Sequence, residues 1–316
     1  MDLTTRYGEA NVMPAIRKVS IIGAGALGAA YGALLFDMDR DCVSFVAAGE
    51  RFERLRREGV IVNGRHYAIP VLAPEDTSLP ADLVIVAVKN HHLDAAIGEM
   101  KNRVGRDTII LSLMNGIDSE ERIGAVYGMD KVLYALTMGI DALREGNRVI
   151  YTTQGRIFFG EAKNPAVTER VARVQALFDR AGIAWETPPD MLRTLWWKFM
   201  ANVGINQASA VLRAPYSAFQ APSEARDLML SSMREVIAVA EKAGVSLTEE
   251  DIEAFDPILA RLSPEGKTSM LQDVEARRKT EVEMFAGTMI ALGEKYGVAV
   301  PVNRRLFEAI RDIEKA

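Results

Sequence analysis

Gly23-Ala24-Gly25-Ala26-Leu27-Gly28 sets glycines in the G-x-G-x-x-G spacing, directly behind the apolar run Val19-Ser20-Ile21-Ile22 and ahead of a helical run from Ala29 to Phe36. Small residues there let a backbone reach a pyrophosphate, and the free N–H groups and dipole of the following helix favour its negative charge. Three glycines alone are a weak match, and a tight turn without a ligand would use the same residues. It is the strand–turn–helix setting that favours dinucleotide binding. Gly23, Gly25, Ala26, Leu27 and Gly28 are the expected pyrophosphate contacts. About 20 residues further on, where an acid would bond the adenosine ribose, the sequence reads Phe45-Val46-Ala47-Ala48-Gly49-Glu50-Arg51. No acid closes the strand, and Arg51 and Arg54 supply positive charge, which favours NADP over NAD. Glu50 turned towards the ribose, with both arginines solvated, is the competing arrangement.

Proton chemistry points to two other places. Lys198, Asn202 and Asn206 recur at i, i+4 and i+8, with Thr194 extending the row, on a helix read from Leu192 to Leu212 whose apolar members surround most of its circumference. A buried amine and two amides need partners or a wet cleft, whereas a stripe that simply meets solvent needs neither; the spacing satisfies both. Glu281 shares a stripe with Phe285, Thr288, Met289 and Leu292 on a later helix and follows Arg277-Arg278-Lys279. A carboxylate on such a stripe is either the partner of a nearby arginine or a binding group. Lys89-Asn90 and Asn115-Gly116 close strand patterns at carboxyl ends, where open α/β sheets bind ligands, although Asn-Gly is also common turn chemistry. His91 and His92 read as a polar first turn.

The elements that must hold these residues alternate in the first half of the chain. Apolar runs at Val19–Ile22, Cys42–Val46, Leu83–Val88, Thr108–Leu113 and Val132–Ile140 read as strands, with helical patterns between most of them, including His91–Val104 and Asp118–Tyr127. Val149–Tyr151 and Arg156–Gly160 read as antiparallel additions, followed by a helix from Pro165 to Ala181 that Gly182 ends. Thr187-Pro188-Pro189-Asp190 is a break, with Asp190 placed to cap the next helix, and beyond it strand signals nearly vanish. The expected fold is α/β: an N-terminal Rossmann-type doubly wound sheet over residues 1–189, of which 1–15 form a loose extension, then an all-helical substrate domain over 190–316.

A chain of 316 residues, 49% hydrophobic and 26% charged, is long enough for two cores. Its 38 Lys and Arg against 43 Asp and Glu leave a net charge of −5, which gives no basic excess for nucleic acid. The uncharged run Val19 to Phe36 follows Arg17-Lys18, but Gly23, Gly25, Gly28 and Gly32 interrupt it, which argues against a membrane span. One cysteine, Cys42, cannot form an internal disulfide, and His66, His91 and His92 show no zinc spacing, so no metal is expected and a reducing cytoplasm fits best. Oligomeric state is not legible; a homodimer is compatible with the sequence.

Gly23–Gly28, Val88-Lys89, Asn115-Gly116, the Lys198/Asn202/Asn206 row, Thr268-Ser269-Met270-Leu271-Gln272-Asp273 and Arg278-Lys279-Thr280-Glu281 together resemble the ketopantoate reductase family. The resemblance runs from about Val19 to Asn303, including Gly297-Val298-Ala299-Val300-Pro301-Val302-Asn303, and Ser269 to Glu281 is its most specific part. It implies reduction of 2-dehydropantoate to pantoate with NADPH, a step towards coenzyme A. It further implies Lys198 as general acid, Glu281 as a partner of the substrate hydroxyl, and Asn115, Asn202, Asn206 and Ser269 as substrate contacts. Lys89 would then lie beside cofactor and substrate, with Asn115 also touching cofactor. Many members carry an arginine where this chain has Ala48, which shifts the expected 2′-phosphate contact to Arg51. Another 2-oxo acid reductase, a hydroxy-acid or sugar-acid dehydrogenase on the same plan, and a non-catalytic dinucleotide sensor are the competing functions. Binding alone needs no proton donor in a cleft, which counts against the sensor.

Overall fold

The computed structural model describes residues 14–315; most of the extension expected over 1–15 lies outside the described residues. Eight strands form one sheet in the order Trp185–Glu186, Gln154–Gly160, Val132–Ile140, Val104–Ser112, Ala81–Val86, Val19–Ile22, Val43–Val46, Val71–Leu72. Every neighbouring pair is parallel except Gln154–Gly160 against Val132–Ile140. Alternate side chains of the central strands enter different cores. Ile21, Phe45, Ile85 and Leu111 pack with Tyr31 and Leu35 of the helix Ala26–Met38, whereas Ile22, Val46, Val84 and Ile110 pack with Leu93, Ala96 and Ile97. Burial on both faces is why these strands are apolar without alternation. Strand order reverses at Val19–Ile22, which opens a crevice at its carboxyl end between the turns that follow it and Ala81–Val86.

Val149 does pair antiparallel with Arg144, but in a separate four-stranded sheet that also holds Val60–Val62 and Arg65–Tyr67. Its strands are three residues long, too short to carry a period of their own. The helix expected at His91–Val104 is confined to Leu93–Glu99 between tight turns, since Val104 already starts a strand. The strand expected at Leu83–Val88 runs Ala81–Val86, leaving Val88 and Lys89 free to face the crevice. Pro165 lies outside its helix, which begins at Glu169 behind the N-cap Thr168 and ends as expected in left-handed Gly182.

Beyond Asp190 the chain is helical. Asp190 accepts from the Arg193 N–H at 2.9 Å and caps Met191–Leu212, 22 residues long, whose buried side chains anchor the core of this half. A polar knot fixes the last helix, Pro301–Lys315, to that core. Asn303, fully buried, accepts from Gln207 and Ser232 at 3.0 Å each and donates to Glu235 at 2.8 Å, while Glu235 also takes the N–H groups of Val302 and Asn303. Buried amides left without partners are costly. Asn303→Ala is therefore expected to lower the unfolding free energy by about 2–4 kcal/mol in urea melts; a loss below about 1 kcal/mol would show the knot to be slack.

Candidate active site

The glycine turn is shaped by what its neighbours forbid. Gly23 has φ +104, and a Cβ there would lie 2.6 Å from the Ala87 carbonyl oxygen. At Gly28 it would lie 1.9 Å from the Gly23 carbonyl oxygen, so this glycine lets helix and strand meet. Gly25 differs: the nearest atom to a Cβ is 3.7 Å away, and the space in front of it belongs to a cleft of about 490 Å³. Gly25 caps the helix Ala26–Met38 without a side chain, leaving the first N–H groups of that helix for an anion. Gly23, Gly25, Ala26, Leu27, Arg51, Lys89, Asn115, Ser269 and Glu281 all line this cleft. Gly28 lies beneath it as packing.

Past the second strand the chain turns through Ala48 and the left-handed Gly49 into the helix Gly49–Glu58. Arg51 of that helix reaches the cleft and is paired with Glu99; Glu50 is exposed and absent from the wall. Arg144 reaches the same cleft from the small sheet and donates to the Ala24 carbonyl inside the glycine turn. Burial pulls its guanidinium below the usual range, with Arg54 as a further cause. Arg144 lies in the edge strand Leu143–Glu145 of a short hairpin with Arg148–Ile150, whose three-residue strands carry no period, and only the fold brings that hairpin over the glycine turn.

At the opposite end, residues from both halves of the chain interlock. Lys198 donates to Asn115 Oδ1 at 2.8 Å, and the Asn115 amide and the Asn90 backbone N–H both act on the Glu281 carboxylate, favouring its charged form. Asn115 thus ties the lysine of the long helix to the cleft wall that it shares with Glu281. Lys89 donates to Asp273 Oδ2 at 2.7 Å, and Arg278 holds Asp273 Oδ1 at 2.8 Å. Asp273 is 5% exposed and went unassigned in the sequence, although it stands four residues after Ser269 on the helix Ser269–Glu275, a spacing that places both on one face.

Burial dominates the electrostatics. It lowers the Lys198 ammonium to about 8 against the opposing pull of Glu281 and Glu120, and it raises the Glu281 carboxyl, with Lys89 acting the other way. Glu120, 2% exposed, is pushed up to about 7 by burial despite a 2.8 Å bond from the Ser119 hydroxyl. Nothing in the sequence distinguishes it from an ordinary acid in the first turn of the helix Ser119–Tyr127.

Two expectations need correction in placement. Glu281 stands in a bend ahead of its helix, where its carbonyl accepts from Met284 and Phe285, and a π-helical turn over Glu283–Gly287 breaks the stripe with Thr288, Met289 and Leu292. Asn202 and Asn206 continue the Lys198 face of the helix but are not on the wall of the 490 Å³ cleft, nor is Lys198 itself, which reaches it through Asn115. Among the described residues the side chains of Asn202 and Asn206 make no hydrogen bond, although Asn206 is 7% exposed.

The ketopantoate reductase PanE/ApbA model matches residues 19–164, and its C-terminal counterpart matches residues 190–314. The chain belongs to the ketopantoate reductase family. Among its relatives, the 2-dehydropantoate 2-reductase of Aquifex aeolicus (strain VF5) is 26% identical over 304 residues, covering 94% of this chain and 96% of that protein. The crystal structure of a PanE/ApbA family ketopantoate reductase from Ralstonia eutropha JMP134 is 27% identical, with a TM-score of 0.80 over 94% of this chain and 98% of that one. A D-mandelate dehydrogenase solved with NADH and anilino(oxo)acetate superposes with a TM-score of 0.83 over 94% of this chain and 98% of that one, at 23% identity, a likeness of fold. Membership makes the chain a member of an oxidoreductase family built on an α/β Rossmann-type sheet and a helical half. No helix among the described residues is long and apolar enough to cross a membrane, and no group of three or more His, Cys, Asp or Glu there could hold a metal ion.

Holding Lys198 in this setting carries a stability cost with a definite sign. Its folded-state value lies below the 10.5 of the free group, so the folded chain binds fewer protons between pH 8 and 10.5 and stability rises with pH across that window. Lys198→Met is expected to raise the unfolding free energy by about 1–3 kcal/mol at pH 7. The gain should shrink as pH passes 8. A variant less stable than wild type at pH 7 would show the ammonium to be a net stabilising group.

Proposed function

We propose that this protein reduces 2-dehydropantoate to pantoate with NADPH, a step of pantothenate and coenzyme A biosynthesis, in the cytoplasm. The single observation that carries this reading is Lys198 bonded at 2.8 Å to Asn115, which lines one cleft with Glu281 and the open glycine turn. A proton donor and a hydroxyl acceptor are thereby fixed next to the place a nicotinamide would reach. The division of labour assigns residues 1–189 to the dinucleotide and 190–316 to substrate. Gly23, Gly25, Ala26, Leu27 and Gly28 form the pyrophosphate cradle, Arg51 meets the 2′-phosphate, and Lys89 and Asn115 flank the nicotinamide end. NADPH supplies the hydride when bound.

The remaining work belongs to the chain. As negative charge develops on the ketone oxygen, the Lys198 ammonium stabilises it and then gives up its proton. Asn115 Oδ1 holds the ammonium in place, so the donor does not have to be ordered during the reaction. An acid near 8 is mostly charged at pH 7 yet readily deprotonated, a good match to this task. Glu281 accepts from the substrate 4-hydroxyl, and Ser269, Asn202 and Asn206 hold the rest of the substrate, for which the two amides have donors and acceptors to spare.

The test is NADPH oxidation over a panel of 2-oxo acids that includes ketopantoate, run as a function of pH. Lys198→Ala is expected to lower kcat by about 10² or more with little change in NADPH affinity. In the wild type, reduction should be lost as pH rises through about 8, because the acid form disappears there, while the reverse oxidation should gain. Near-wild-type kcat in the variant would remove Lys198 from the mechanism, and preference for another 2-oxo acid would reassign the substrate.

Cofactor choice is tested separately. NADPH should be preferred to NADH, and Arg51→Ala should erode that preference by about tenfold, the scale of a charge-assisted phosphate contact. Equal kcat/KM for the two cofactors in the wild type would bring Glu50 forward as a ribose ligand.

A further inference from the structure

A second cavity, of about 770 Å³, is walled by Arg213, Arg277, Arg278, Lys279, Arg311 and Lys315. The acids on its wall are already engaged. Glu275 is paired with Lys267 at 2.7 Å, and Glu314 takes the Thr280 N–H and hydroxyl at 2.8 and 2.7 Å. Some of the cations are engaged as well: Arg278 with Asp273, Arg311 with Glu283 at 3.0 Å, and Lys315 with Asp312 at 3.0 Å. Arg213, Arg277 and Lys279 have no ion pair and no side-chain hydrogen bond among the described residues. Unbalanced like charges gathered around one hollow raise each other's free energy, and an anion in the hollow would reverse that.

The backbone gives a second, independent indication. Arg213 and Arg277 have φ of 50° and 51°, in the left-handed region where glycine is the usual occupant; the other non-glycine residue there, among those described, is Asn63, the residue type that tolerates it best. Arg213 caps Met191–Leu212, and Arg277 follows the helix Ser269–Glu275 by two residues. Glycine would serve both helix ends better. An arginine at each, opening on the same cavity, keeps a guanidinium at the expense of the backbone.

We propose that this cavity binds a small multivalent anion of the phosphate-ester class, held by Arg213, Arg277 and Lys279, at a site separate from the dinucleotide cleft. Guanidinium groups match phosphate oxygens in pairs, and the cavity's size suits a small ligand. Arg278 lines both cavities, so charge arriving here bears on Asp273 and through it on Lys89.

Inorganic tripolyphosphate is the probe, titrated calorimetrically at low salt into the full-length protein. Wild type should bind it saturably, and Arg213→Gly/Arg277→Gly should weaken binding by about tenfold or more while keeping or raising Tm, because glycine relieves the left-handed backbone. Arg51→Ala/Arg144→Ala, which alters the dinucleotide cleft, should retain the binding. Absence of saturable binding to wild type, unchanged affinity in the glycine pair, or loss confined to the Arg51/Arg144 pair would each overturn the proposal. A lowered Tm in the glycine pair would also overturn it, since the arginines would then be structural.

Discussion

An ammonium group held largely out of water must find partners or give up its proton, and Lys198 is held between those outcomes. Its partner is the side-chain oxygen of an asparagine, which solvates charge without neutralising it; the carboxylates that act on it are Glu281 and the buried Glu120. A direct ion pair would have locked the proton on. The amide leaves it transferable, and most other features of the molecule can be read as what is needed to keep that arrangement in place. The long helix Met191–Leu212 buries enough apolar surface to fix Lys198, the strand Val104–Ser112 delivers Asn115 through Leu113 and Met114, and the bend before the π-helical turn aims Glu281 back at both.

The same seam joins the halves of the chain. Lys89 from the sheet and Arg278 from the helical half share the Asp273 carboxylate, so the wall of the cleft is tied by charge as well as by the Asn115 bridge. Lys89 is 42% exposed at its side chain, which places this pair at the rim, where water and salt weaken it. The half-buried contact of Lys198 and the rim contact of Lys89 therefore differ in degree of exposure: desolvation weighs more on the first, screening on the second.

What was legible in the sequence follows from how locally each feature is determined. The glycine turn was readable because strand, glycines and helix are contiguous, and φ +104 at Gly23 with the close approach at Gly28 are demands that only glycine meets. The Lys198 row was readable because helical spacing is regular, and Met191–Leu212 obeys it. Arg144 and the small sheet were not, since three-residue strands leave no periodic trace and the pairing that joins the two hairpins, Arg148–Ile150 with Val60–Val62, spans a long separation. Glu281 was assigned to a helix stripe because its apolar neighbours recur at suitable intervals, but a π-helical turn changes the interval and puts the carboxylate ahead of the helix. Asp273 lay within the motif that carried the family resemblance, yet its role needed a lysine 184 positions away.

Titrating the Lys198 side chain shows whether burial or pairing sets its state. The 13Cε resonance of Lys198, assigned by comparison with Lys198→Arg, can be followed from pH 6 to 11 in the protein without substrate. A midpoint near 8 is expected if desolvation dominates. A midpoint at or above the ordinary lysine value of 10.5 would mean that the carboxylates outweigh desolvation and that Lys198 is a fixed charge rather than a proton donor.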